Sequence, residues 1–179
     1  MSGEMSLKVV ALHTIAEADA LIARLRDSAD LTISRLRALV EGEPDSLRVL
    51  SQLKFEAVGC DPLSPTRRLN VIEQLNQLFT YKASFQAARW LLEGHPGHAP
   101  LILNLGTKAG TDIESQDGQI VAEVFATVNP RNNRKLEKDI ERLRRRDAPS
   151  KYVFYLAPNA GGKRDEYETD GIVIRRLWP

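Results

Sequence analysis

Asp112 and Glu123 carry the clearest chemical signal in the sequence: two carboxylates with ten residues between them and the turn signature Gln116-Asp117-Gly118 midway. A hairpin across that turn sets both at neighbouring strand positions. Carboxylates on adjacent rigid strands suit a hard cation such as Mg2+ or Mn2+ and leave coordination positions for water and a phosphate. In phosphodiester hydrolysis such a cation activates water and neutralises charge growing on the phosphoryl oxygens. Glu114 lies two residues beyond Asp112, on the same strand face, where it can join the pair. Equally, acids beside a hairpin turn serve solubility alone. Glu123 interrupts the apolar run IVAEVFATV (120–128), where a carboxylate is costly unless it is paired, liganded or turned to solvent.

The elements that must position these residues follow from periodicity. Leu21, Leu25, Ile33, Leu36 and Val40 recur at mostly helical spacing, and Asp27, Ser28 and Asp30 offer a break, so two short helices are expected between residues 16 and 40. Glu43-Pro44-Asp45-Ser46 reads as a turn and helix start leading to Leu47, Leu50 and Leu53. The stretch VGCDPLSPT (58–66) has two prolines and a glycine and reads as a linker. Its position divides the chain into an N-terminal helical extension over 1–60 and an α/β domain over 67–179. From Arg67 to Glu93 no glycine or proline intervenes, and Ile72, Leu75, Phe79, Ala83, Ala87 and Leu91 mark the buried stripe of a long helix. Leu101–Leu105, Thr111–Ser115 and Ile120–Val128 read as strands. Asn132–Arg146 reads as an amphipathic helix with Leu136, Ile140 and Leu143 on one stripe. Tyr152–Leu156 and Ile172–Leu177 are further strands, separated by a charged loop.

The segment TDIESQDGQIVAEVFA (111–126) then resembles the strand pair of the PD-(D/E)XK nuclease superfamily: an aspartate, a turn, a glutamate inside an apolar strand, and then an amphipathic helix and more strands. The resemblance covers about 110 residues from Arg67 onward. It implies a restriction-endonuclease-like mixed sheet flanked by helices, with Asp112 and Glu123 binding a divalent metal. Glu73, in the helix before the first strand (NVIEQLNQ), matches the extra acidic residue that such helices often add. Two departures stand out. Thr111 replaces the motif proline, and Phe125 stands where the family has its lysine, whose work is to orient the attacking water. Some members draw that charge from the following helix, and Lys135 or Lys138 in NNRKLEKDIERL is placed to supply it. The implied activity is metal-dependent endonucleolytic cleavage of DNA. The alternative is a catalytically inactive relative of the fold, serving as a binding or assembly module through its N-terminal helices.

Nine cations fall between Arg131 and Lys151, directly after the carboxylate strand. Arg131, Arg134, Arg142 and Arg145 are the candidates for phosphate-backbone contact, but Glu137, Asp139, Glu141 and Asp147 are interleaved, as on a solvated, salt-laced helix. Arg144–Arg146 also complements the helix dipole. A formal net charge of +1 provides no global attraction to a polyanion, so only a local patch would do so. His13, His95 and His98 lack cysteine companions for a zinc site, NLGTKAGTD lacks the spacing of a phosphate loop, and Trp90 suits a buried helix face. One cysteine, Cys60, excludes an intramolecular disulfide and fits a cytoplasmic setting. No apolar run is long enough for a membrane span. Members of the resembled family that cut both strands often work as dimers. A homodimer through the helices of residues 16–53 is therefore expected, since Leu21, Leu25, Leu36 and Val40 form apolar stripes that a thin helical layer leaves uncovered.

Overall fold

The computed structural model describes residues 9–106, 109–130, 134–158 and 164–179. The chain has a mixed α/β fold: β1 (Val9–Leu12), α1 (Ile15–Gly42), α2 (Ser46–Phe55), β2 (Gly59–Asp61), β3 (Ser64–Leu69), α3 (Val71–Gly94), β4 (Leu101–Asn104), β5 (Ile113–Ser115), β6 (Ile120–Ala126), α4 (Lys135–Arg144), β7 (Ser150–Leu156), β8 (Glu166–Thr169) and β9 (Ile172–Leu177). It divides into two units: one runs up to Ala18 and resumes over Ala83–Pro179, the other is Asp19–Lys82. None of its described helices is long and apolar enough to cross a membrane.

The first unit holds a seven-stranded sheet in the order β1-β4-β5-β6-β7-β9-β8. β4, β5 and β6 form an antiparallel meander, while β6 pairs with β7 in parallel. A parallel pair requires a crossover, and α4 is that crossover. One sheet face carries Val121, Phe125, Val153, Tyr155, Ile172 and Ile174, packed against Leu136 and Leu143 of α4. On the other face Tyr152 and Phe154 meet Trp90, each with ring centroids 5.6 Å from the indole. Covering on both faces explains why β6 and β7 are almost continuously apolar.

The Asp19–Lys82 unit corrects three readings of the sequence. α1 is one helix, unbroken at Asp27-Ser28-Asp30: Asp27 and Asp30 face solvent, while Ser28 is buried and its hydroxyl accepts from the Gln74 amide at 3.2 Å. Tertiary contacts override the local preference. Residues 58–66 are no linker, because they build most of the β2–β3 hairpin. Its turn is held by Asp61, whose Oδ1 accepts from Leu63 N at 2.9 Å and Ser64 N at 3.2 Å. Consequently Arg67–Leu69 is strand, and α3 starts at Val71, with the Asn70 side chain accepting from Glu73 N at 2.8 Å as a cap. The expected stripe of α3 is also split. Ala83, Ala87 and Leu91 are fully buried, whereas Ile72, Leu75 and Phe79 remain substantially exposed.

Candidate functional site

The β5–β6 hairpin sets the carboxylates opposite one another. Its turn needs Gly118, whose φ of +71° is disfavoured for any residue with a Cβ. Asp117 fixes the turn from inside, with Oδ1 accepting from Ser115 Oγ at 2.6 Å and Gln119 N at 3.1 Å. The strand register pairs Ile113 with Ala122, so one further step brings Asp112 opposite Glu123. Asp112 is fixed there by the amide of Val124, which donates to its Oδ2 at 2.7 Å.

Glu123 shares the sheet face of Val121 and Phe125, the face that α4 covers, and is completely buried. Arg142 of α4 donates to its Oε2 at 2.8 Å, while Oε1 meets no donor among the described residues and faces Asp112, with which Glu123 can share a hydrogen bond only when one of the two carries a proton. Burial, reinforced by the nearby charge of Asp112, pushes the Glu123 carboxyl up to about 7 against the pull of Arg142. Asp139, also on α4, is equally buried; Lys135 donates to its Oδ1 at 2.6 Å, and its Oδ2 is unpartnered. Its carboxyl is raised by burial, partly offset by Lys135. Among the described residues, Asp112, Glu123 and Asp139 are met by Lys135 and Arg142, so full ionisation of these five groups leaves one negative charge in excess.

Asp112 and Glu123 are the residues that could hold a single divalent cation. Glu123 would contribute a buried oxygen that meets no donor among the described residues, and Asp112 stands opposite it. Among the described residues no group of three or more histidines, cysteines or carboxylates is spaced to hold a metal, so the protein would supply two side chains and leave the other positions to water and substrate oxygens. Mg2+ commonly binds in this manner.

The other candidates are dispersed. Glu114 is tied up, accepting from Arg146 at 2.9 Å and from Thr111 Oγ1 at 3.3 Å. Glu73 lies exposed in the first turn of α3, in the Asp19–Lys82 unit. Lys135 is committed to Asp139 and sits 5.8 Å over the Phe125 ring. Lys138 makes no ion pair among the described residues and shares a surface groove of about 560 Å³ with Arg134, Glu137, Glu141, Arg142 and Arg145. Arg145 pairs with Glu141 at 3.2 Å, and Arg131 lies outside the described residues. His95 and His98 are bound to Tyr152 and Asp117, at 2.7 and 2.6 Å. Sequence reading missed Asp139 and the inward role of Arg142. The signal for Asp139 was present: it falls at i+3 from Leu136 and next to Ile140, an acid inside the apolar stripe of α4, just as Glu123 is an acid inside the apolar run of β6.

No family model matches the chain, and neither a curated protein nor a solved structure matches it.

Proposed function

We propose that the chain is a metal-dependent nuclease-like domain that hydrolyses phosphodiester bonds in DNA, with Asp112 and Glu123 holding one Mg2+ or Mn2+. The observation that carries this reading is the unsatisfied, fully buried Oε1 of Glu123 facing a second carboxylate across the hairpin. A carboxyl buried without a partner for one oxygen is a cost that a bound cation would offset. The order of α3, the antiparallel β4–β6, α4 and the parallel β7 supports the reading as well, since it provides the layout that the PD-(D/E)XK resemblance implies.

A bound cation supplies an activated water and neutralises charge on the phosphoryl oxygens. The chain's own contribution is positional. The Val124 amide fixes Asp112, and Arg142 holds Glu123 from above while itself remaining half exposed at the groove. With Phe125 in the lysine position, Lys138 is the better surrogate, because Lys135 is spent on Asp139. Arg134 and Arg145 line the same groove, where phosphate oxygens would meet them.

The catalytically silent reading, a binding or assembly module, is favoured by one observation: Arg142 already places a positive charge on Glu123. Incubation of the protein with supercoiled plasmid and single-stranded DNA in Mg2+ or Mn2+ separates the two. The nuclease reading expects cleavage that disappears in Asp112→Ala, in Glu123→Ala and in EDTA. Cleavage untouched by both substitutions overturns this assignment of the site, and cleavage absent on every substrate with no metal-dependent rise in melting temperature ends the nuclease reading in favour of the silent module.

A further inference from the structure

Arg142 stands between two buried carboxyls. Its Nη1 lies 2.8 Å from Glu123 Oε2 on β6 and 4.0 Å from Asp139 Oδ1, one turn earlier on α4. Both acids are wholly buried, and each keeps one oxygen, Glu123 Oε1 and Asp139 Oδ2, that meets no donor among the described residues. A guanidinium carries five N–H donors in a planar fork. Arg142 therefore has donors to spare, and Asp139 has an acceptor to spare within a short swing of the same side chain, at the i, i+3 spacing that makes helix neighbours. Lys135 does not fill that acceptor, since it holds Asp139 by Oδ1. Room for the swing lies on the groove side of α4, where the Arg142 side chain is 51% exposed.

The two positions of the guanidinium differ in how they answer a divalent cation. Bound between Asp112 and Glu123, such an ion brings two positive charges close to Arg142, and like charges repel most where burial removes the screening water. A guanidinium that stayed on Glu123 would keep this repulsion and leave Asp139 Oδ2 without a donor. Moving to Asp139 relieves the first and supplies the second, while both Glu123 oxygens become free for the cation.

We propose that Arg142 is a two-position counter-cation, which neutralises Glu123 until a divalent cation binds and then transfers to Asp139. Asp139 is the positioning residue that receives it. The inference rests on the metal-site reading of Asp112 and Glu123 and adds to it a competitor for the cation built into α4.

Binding of Mn2+ to the full chain, followed by the loss of the free ion's electron paramagnetic resonance signal, tests the transfer without DNA or turnover. The titration is run at about pH 8.5, where protons compete least for Glu123. Arg142→Ala and Arg142→Gln remove the competitor, and each should bind Mn2+ at least about tenfold more tightly than the parent. Glu123→Gln should abolish binding. Asp139→Asn should weaken binding in the parent and much less in the Arg142→Ala background, where no guanidinium is left for it to receive. An effect of Asp139 through its charge alone, or through Lys135, would be equal in the two backgrounds, and that equality overturns its role as receiver. Binding no tighter in either Arg142 variant, with Glu123→Gln still abolishing that of the parent, overturns the transfer and leaves the metal site standing. Mn2+ bound by none of these forms removes the metal site itself, and the transfer with it.

Discussion

Each unit of the chain buries a polar side chain whose treatment contrasts with the other. In the Asp19–Lys82 unit Gln74 has every polar atom satisfied: its Oε1 accepts from Thr32 Oγ1 at 2.8 Å and Cys60 N at 2.9 Å, and its Nε2 donates to Ser28 O and Oγ at 3.4 and 3.2 Å. The fit is so close that a Cβ on Gly59 would lie 2.3 Å from Gln74 Oε1. In the other unit Glu123, equally buried, has one oxygen held by Arg142 and the other by no donor among the described residues, with Asp112 facing it. A neutral amide can be completely satisfied by its own chain, and here it ties α1, β2 and α3 together. A buried carboxyl that faces another carboxyl is short of donors among the described residues, and is pushed up to about 7 in consequence. The first is a structural pin; the second has the character of a site.

Breaking the pin should give the largest effect. Gln74→Ala opens a cavity and orphans the amide of Cys60, and should cost about 3 kcal/mol in urea unfolding. That loss should be equal at pH 5 and pH 8 and indifferent to Mg2+, and a strong pH dependence would spoil the contrast. Arg142→Ala should cost about 2 kcal/mol at pH 8, because a buried carboxylate loses its cationic partner. At pH 5 the cost should shrink, since Glu123, already raised by burial and by Asp112, rises further without Arg142 and simply retains its proton. Equal losses at the two pH values would show that Arg142 acts through packing alone.

Glu123→Gln sharpens the comparison by turning the site toward the pin. In the parent, native Glu123 keeps its proton up to about pH 7, whereas the unfolded chain releases it near the ordinary glutamate value of 4.5. Between those values the native state binds more protons, so stability falls as pH rises, by at most about 1.4 kcal/mol per pH unit. The glutamine variant should lose this slope, and should lose any Mg2+-induced rise in melting temperature with it. The smallest effect belongs to the exposed hairpin pair. Asp117 is held down to about 2, chiefly by its hydrogen bond with His98. In His98→Ala its carboxyl should move up toward the ordinary range in an NMR titration. The contribution of Asp117 is present above its ordinary value of 3.8 and is lost only as pH falls toward 2. The variant should therefore melt slightly below the parent at pH 7, with the gap closing as pH falls toward 2, and equal melting at pH 7 would mean that the turn does not depend on this pair.

The strands around the site were legible because their pattern is local. The turn at Asp117-Gly118 and the apolar run of β6 were enough to bring Asp112 opposite Glu123, and the Leu136–Ile140–Leu143 stripe was enough to give α4 its inner face. β8 was legible too but read as loop. Asp170 and Gly171 both have positive φ, at +54° and +71°, and Thr169 pairs with Ile172. That is the two-residue Asp-Gly hairpin signal, obscured by the charges before it. β1 offered only four residues and no turn to mark it.

By itself the sequence determined the alternation of helices and strands, the hairpin and the opposition of its two carboxylates, because each depends on periods of two or 3.6 residues and on turn chemistry within a few positions. Tertiary structure alone decided the charge pairing: Arg142 to Glu123, Lys135 to Asp139 and Arg146 to Glu114. It also decided that Ser28 lies inside an unbroken helix, that residues 58–66 form a hairpin, and that half of the apolar stripe on α3 is uncovered. Each of these depends on which face of an element meets a surface far away in the chain, and no local pattern encodes that distance.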